Sequence, residues 1–249
     1  DMPFPLPDFV LPRLGASTSH YAFSVLRQLQ GLGVYVCNDA DSIAAVKDKL
    51  CMYQALSNSK LATPKTMLAK YPISSATVER EIGFPLIIKN VSGMRGTGIY
   101  LCDSKDKFED ILELVYSNNE NANMILQEFV QASYGKDLRV FVVGGRVLGC
   151  MVRSSSGSFK SNFSRGGTVE EYELNPELVW LATDVAKLFN LDIAGVDILF
   201  ERDGYKVCEA NSAPGFKGLE QIMGPSIAEG IIDYILVKIG CSLDLEHVV

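Results

Sequence analysis

The chain has 249 residues, 47% hydrophobic and 21% charged, enough for one large domain or two modest ones with proper cores. Its net charge of −7 argues against a surface built mainly for nucleic acid, though a local basic cleft stays open. No apolar run reaches the length of a membrane span, no charged-then-apolar signal pattern opens the chain, and His20 and His247 lack partners for a metal site or a triad.

The chain opens at Asp1 and leads through the Pro-rich run MPFPLPDFVLPRLG (2–15) into a strand over 8–15, so an N-terminal portion is expected to be missing. A helix over 18–33 follows, with apolar spacing at positions 22, 25, 26 and 29 and Gly31 and Gly33 at its end. With a strand over 34–38 these form a β-α-β unit, the edge of a small open α/β domain. Residues 41–59 read as one helix capped by Asp41 or Ser42, or as two short ones. A buried strand over 85–91 contains Lys89, and after the glycine-rich SGMRGTG (92–98) the chain re-enters a strand over 99–103. A helix over 105–118 and a strand over 124–130 come next, then a hairpin over 138–153 turning at Gly144, Gly145 and Arg146. The polar stretch 154–167 carries Lys160 and Arg165, and the helix over 175–190 has Asn175 as N-cap with Pro176 in its first turn. A last hairpin spans 193–211 and a closing helix 225–238. This order of antiparallel hairpins fits neither a Rossmann fold nor a TIM barrel. Cys37, Cys51, Cys102, Cys150, Cys208 and Cys241 form no C-x-x-C, and most lie in apolar segments, so they read as buried thiols of a reducing cytoplasm.

The run VCEANSAPGF (207–216) ends a strand with Glu209 and Asn211 two residues apart, hence on one face. If Arg202, Asp203 and Gly204 form a three-residue turn, Glu201 pairs with Tyr205 and Asp197 falls opposite Glu209. A two-residue Asp203-Gly204 turn would instead set Asp197 against Ala210, on the wrong face. In the first register two carboxylates and an amide oxygen converge, which suits a hard cation such as Mg²⁺. A single salt bridge to Lys206 or Arg202 remains the plain alternative. The glycines at 93, 96 and 98 let backbone N–H groups approach phosphate, but the loop is neither a Walker loop nor a dinucleotide fingerprint, and alone it also reads as a flexible hairpin. Lys89, Arg139, Arg153, Lys160 and Arg165 are candidate anion ligands or solvated charges.

Taken together, GKDLRVFVVGGRV (135–147), SNFSRGG (161–167), AGVDILF (194–200) and CEANSAPGF (208–216) resemble the ATP-grasp superfamily, and within it the RimK-like amino-acid ligases, from about Leu11 to Lys238. The resemblance implies an α+β architecture, an ATP-grasp fold of two α+β subdomains clasping ATP behind a partial small α/β N-terminal domain. The expected divisions are 1–40, 41–127 with a glycine-rich lid, and 128–249 with the metal site. It implies Lys49 and Lys89 on the nucleotide phosphates and Ser92, Gly93, Arg95, Gly96 and Gly98 in the lid. The backbone of Gln127, Glu128, Phe129 and Val130 would meet adenine, with Glu128 or Asp137 near the ribose. Asp197, Glu209 and Asn211 would hold Mg²⁺, which Mn²⁺ could replace, and Arg139, Arg153, Lys160 and Asn162 would serve the reacting carboxylate. Lys160 stands where the family commonly has arginine, exchanging a planar fork for a point charge.

The implied activity is a cytoplasmic, ATP-dependent carboxylate–amine ligase working through an acyl phosphate. L-Glutamate is the expected amine, and the carboxylate acceptor is a small molecule, a peptide or a protein C-terminus. No direct nucleic-acid or membrane partner is expected. Similar proteins form dimers and tetramers, so a homo-oligomer is in view without an interface signature. A non-ligating ATP-binding scaffold or sensor, or an ATP-grasp kinase, are the alternatives.

Overall fold

Two antiparallel sheets organise the computed structural model, which describes residues 5–15, 19–90, 98–155, 157–159 and 167–241. In chain order the elements are β1 (Phe9–Val10), α1 (His20–Gly31), β2 (Tyr35–Val36), α2 (Ala40–Lys47), α3 (Lys49–Asn58), β3 (Thr66–Lys70), α4 (Ser75–Glu81) and β4 (Leu86–Asn90). Next come β5 (Ile99–Cys102), α5 (Lys105–Asn118), β6 (Asn123–Glu128), β7 (Lys136–Val143), β8 (Arg146–Ser154) and β9 (Thr168–Glu171). The chain continues with α6 (Pro176–Leu188), β10 (Ile193–Glu201), β11 (Gly204–Asn211), α7 (Lys217–Met223) and α8 (Ser226–Lys238).

The smaller sheet runs β3-β6-β4-β5. Its outer face, with Ala69, Leu86, Ile88, Met124 and Leu126, packs on Val78 of α4 and Phe108 and Leu112 of α5. The larger sheet runs β11-β10-β7-β8-β9. One face is apolar throughout: Leu138, Val140, Val142, Ala194, Val196, Ile198 and Val207 meet Leu178, Leu181 and Val185 of α6 and Met52 and Leu56 of α3. The opposite face is divided. Phe141, Val143, Met151 and Ile193 are covered by Leu219 of α7 and Ile227, Ile231 and Ile235 of α8. The other end of that face carries Asp137, Arg139, Arg153, Asp197 and Glu209, which strand alternation and pairing bring to one side.

Local chemistry sets several boundaries, and some differ from the sequence reading. Residues 41–59 form two helices because Asp48 leaves the helical region (φ −78, ψ 102) and its carboxylate caps α3 by accepting from Leu50 and Cys51 N–H. Asp39, not Asp41 or Ser42, caps α2. Asn175 accepts from Leu178 N–H at 2.9 Å with Pro176 at the first position of α6, as expected. The strands over 8–15 and 34–38 shrink to the parallel pair β1 and β2. β3, α4, β9 and α7 were not anticipated. Of the cysteines, Cys37, Cys102 and Cys150 are buried, but Cys51 and Cys241 are exposed and Cys208 is half-buried.

Candidate active site

The last hairpin reaches the expected pairing by another route. Its turn is Arg202-Asp203, with Glu201 opposite Gly204, which taken alone would misplace Asp197. A bulge between Ile198 and Asp197 then takes up one extra residue, Cys208, and restores Asp197 opposite Glu209 and Gly195 opposite Asn211. Neither expected turn forms, yet both carboxylates arrive on one face. Lys206 is not their partner either. It bonds Glu128 at 2.7 Å and Glu201 at 2.8 Å.

Asp197 sits in a cross-strand ladder of charge. Arg139, its neighbour on β7, donates from Nε at 2.5 Å and Nη2 at 2.7 Å, a bidentate fork. Arg153 on β8 reaches Asp197 at 3.0 Å and forks onto its own opposite residue, Asp137, at 2.7 and 2.5 Å. Burial opposes the charge on Asp197, but Arg139 and Arg153 outweigh it and hold the carboxyl at about 2. Glu209 goes the other way. Burial, then the charge on Asp197, raises its carboxyl against the pull of Lys89, Arg139 and Arg153. A buried carboxylate facing another, with an amide oxygen alongside, is a donor set that fits a hard divalent cation. Among the described residues no cluster of three or more His, Cys, Asp or Glu offers a fuller cage, so such an ion would keep waters or substrate oxygens in its shell.

Lys89 faces this ladder from the smaller sheet. It is buried, donates to Tyr53 Oη at 2.7 Å and lies 3.8 Å from Cys208 Sγ. Burial works to lower its ammonium, but Cys208, Tyr53 and Glu209 more than offset that and hold it above its ordinary value. Burial also pushes the Cys208 thiol up to about 11, which keeps it protonated and poorly nucleophilic near neutrality. Lys49 opens α3 one turn before Tyr53. Burial lowers its ammonium, with Glu209 favouring the charge and Lys89 opposing it, so these three groups share one electrostatic neighbourhood.

Between the sheets lies a cavity of about 140 Å³. Ile87, Lys89, Ile99 and Gln127 line it from the smaller sheet, and Asp137, Arg153, Asp197, Leu199, Cys208 and Glu209 from the larger. Glu128, Phe129 and Val130 close it where the chain crosses between sheets. Gln127 is fixed by a bond to Thr66 Oγ1 at 2.9 Å, and Glu128 also accepts from Lys65 N–H at 2.9 Å. Asn211 stands beyond Glu209 and bonds weakly to Gly195 O at 3.4 Å. Gly98 takes a left-handed φ of +72 where the chain enters β5. Ser92, Gly93, Arg95, Gly96, Lys160, Asn162 and Arg165 lie outside the described residues. Tyr53, Cys208 and the apolar floor of Ile87, Ile99 and Leu199 escaped the sequence reading. Tyr53 was within reach of it, because a residue four positions after Lys49 shares its helix face.

An apolar floor, a chain crossing at one end, cations on both walls and opposed carboxylates at the other end make a two-walled cleft suited to an elongated anionic ligand. Comparison with known proteins agrees. Residues 46–235 match the RimK-like ATP-grasp domain and residues 1–43 the RimK pre-ATP-grasp domain. A probable alpha-L-glutamate ligase of Methanococcoides burtonii is 38% identical over 230 residues, covering 92% of this chain and 76% of the relative. The fold is similar to that of a RimK-domain ATP-grasp protein from Sphaerobacter thermophilus, with a TM-score of 0.73 at 23% identity over 91% of this chain and 81% of that one. It is also similar to the ATP-grasp ligase PsnB, solved with a phosphomimetic variant of its minimal precursor, Mg and ADP, with a TM-score of 0.67 at 25% identity over 86% and 67% of the two chains. The chain belongs to the RimK-like ATP-grasp family, and it is an ATP-dependent ligase.

Proposed function

We propose that the enzyme joins an amino acid, L-glutamate, to a carboxylate acceptor through an acyl phosphate, releasing ADP and phosphate. The observation that carries this reading is Asp197 opposite Glu209, with Asn211 alongside, facing Lys89 across the cavity. The named activity of the Methanococcoides relative supports glutamate as the amine, and the precursor peptide with which PsnB has also been solved supports a peptide among the acceptor classes. The reading divides the chain into an N-terminal part (1–40), a nucleotide-holding part (41–127) and a part carrying the metal site (128–249).

Adenine would lie on the apolar floor against the backbone of Gln127 to Val130, with Glu128 or Asp137 at the ribose. Lys49 and Lys89 would hold the phosphates, and the Tyr53 hydroxyl keeps Lys89 aimed inward. Asp197, Glu209 and Asn211 would bind Mg²⁺, which when bound draws charge from the phosphate oxygens. The acceptor carboxylate then attacks the γ-phosphorus, the bond to the bridging oxygen breaks, and ADP leaves. Arg139 and Arg153 sit where they would offset the negative charge on the carboxyl and its phosphate. The amine of glutamate attacks the activated carbonyl, phosphate departs, and the nitrogen loses a proton to leave an amide. Closure of the two sheets excludes the water that would hydrolyse the intermediate. No enzyme nucleophile is required, which agrees with a thiol at Cys208 held protonated.

The test is release of ADP and phosphate from Mg-ATP and L-glutamate across a panel of carboxylates, with products read by mass spectrometry. An acceptor gaining the mass of one condensed glutamate supports the reading. A stable phosphorylated acceptor with no amide would count against glutamate as the amine, and ATP binding without turnover on any acceptor of the panel would count against these acceptor classes.

A further inference from the structure

The N-terminal segment reaches the rim of this site. Arg13, between β1 and α1, donates from Nη2 to Pro214 O at 2.9 Å and lays its guanidinium over the Phe216 ring, 5.3 Å from the centroid. Both partners belong to the loop that leaves β11 directly after Asn211. Pro214 in turn packs over Gly195, where an added Cβ would stand 2.5 Å from Pro214 Cβ and 3.1 Å from Arg139 Cδ. Pro214 and the stem of Arg139 therefore both border Gly195, and Arg13 holds that same proline. Neither Arg13, Pro214 nor Phe216 lines the cavity between the sheets, so this rim lies outside the space assigned to nucleotide.

The loop also has an anchor other than Arg13. Buried Asn38 already ties it down, donating from Nδ2 to Ser212 O at 2.8 Å and to Ile193 O at 2.7 Å. Meanwhile Arg139, Arg153 and Lys89 already have partners in Asp197, Asp137 and Tyr53 and are assigned above to the phosphates and the reacting carboxyl, which leaves the carboxylates of the amine-bearing acid to another cation. Arg13 is exposed, and among the described residues no carboxylate pairs with it. A guanidinium stacked on an aromatic ring and bonded along one edge presents its remaining N–H donors as a fixed fork, the geometry that fits a carboxylate.

We propose that Arg13 recognises a carboxylate of the amino acid that supplies the amine; this rests on the ligase reading above. The acceptor's reacting carboxyl is consumed, because it becomes an acyl phosphate and then an amide. The amine-bearing acid keeps its carboxylates from entry to release, so a standing cation has a partner throughout. A protein of net charge −7 also needs a local cation to hold a small dianionic amino acid.

Arg13→Gln and Arg13→Lys in the whole chain test this. In steady-state ligation, Arg13→Gln should raise KM for L-glutamate roughly tenfold or more, with KM for ATP and for the acceptor little changed, and Arg13→Lys should recover part of the loss. L-glutamine and the α-amide of glutamate identify the carboxylate concerned: the analogue lacking it should be poor with wild type and no worse with Arg13→Gln. Calorimetric binding of L-glutamate in the presence of Mg-ADP repeats the comparison without turnover. An unchanged KM for glutamate, or an equal rise for all three substrates with a lowered melting point, would overturn the assignment and leave Arg13 a structural tie. If wild type neither ligates nor binds glutamate, the ligase reading falls and this inference falls with it. If wild type does both and Arg13→Gln matches it, only this inference falls.

Discussion

Asp197 and Glu209 occupy paired positions yet have opposite relations to the protein around them. Asp197 is what neutralises Arg139 and part of Arg153, whereas Glu209 is strained by burial and by Asp197 itself. Removing the charge of Asp197 leaves two buried guanidinium groups short of a partner, a loss of about 3–5 kcal/mol. Asp197→Asn should therefore abolish turnover and also lower the melting point, by roughly ten degrees for a chain of this size. Glu209→Gln should abolish turnover while leaving the melting point unchanged or slightly raised, because it relieves a like-charge contact. Thermal melts and ligation rates on the two variants check this; matching melting points would mean the ladder is not what stabilises the sheet. Glu209 and Asn211 could be nominated from spacing, since a face is fixed by a period of two, whereas Asp197 joined them only through an assumed turn. Arg139 could not be matched to Asp197, because β8, β9 and α6 stand between β7 and β10 in the chain and no turn fixes their register.

Two hairpins of the same sheet set their own register locally, and each contains a bulge that periodicity conceals. In β10–β11 the two-residue turn and the bulge at Cys208 sum to the same offset as a three-residue turn, so the expected pairing was reached through the wrong turn. In β7–β8 the turn is Gly144-Gly145, with φ of +56 and +76, and the ladder shifts between Phe141 and Val142. Gly144 carries a second constraint. A Cβ there would fall on the ring of Tyr234 in α8, whose hydroxyl donates to Asp192, which also accepts from Tyr35 on β2 at 2.8 Å. Gly144→Ala should cost about 2–4 kcal/mol, combining left-handed strain with displacement of Tyr234. Gly145→Ala, with nothing within 4 Å of its new methyl, should cost only about 1 kcal/mol of strain. Urea denaturation of both separates the terms; equal losses would remove the Tyr234 contact from the account. The elements absent from the sequence reading have two causes. β3 (TMLAK) and β9 (TVEE) lack the apolar run that marks β4 (LIIKN) and β5 (IYLC), strands of the same lengths, and α4 and α7 are helices of seven residues, too short for a helical period to stand out from chance. Longer α5 was placed at its observed limits.

At the scale of the whole molecule, the strand and helix order indicated antiparallel hairpins and excluded a Rossmann fold and a TIM barrel, but two subdomains facing each other came only with the family resemblance. Apolar alternation marks which side of a sheet is buried, and it cannot tell a helix from a ligand as the cover. The inner face of the smaller sheet, with Ile87, Lys89, Ile99 and Gln127, is half apolar and half polar, with Lys89 as its charge, as suits a surface facing a nucleotide. A ligand held by both walls and absent from the unfolded chain stabilises by mass action, about 2.7 kcal/mol at one hundred times its dissociation constant. Mg-ATP should accordingly raise the melting point by several degrees, increasing with concentration. Lys89→Ala should suppress most of that shift, since it deletes the cation that the smaller sheet contributes. Glu209→Gln should instead keep a shift with ATP that no longer responds to added Mg²⁺, because the cations remain and the opposed carboxylates do not. A Lys89→Ala protein with the full nucleotide shift would place the phosphates elsewhere, and a Glu209→Gln protein with an intact Mg²⁺ response would move the metal away from the β10–β11 hairpin.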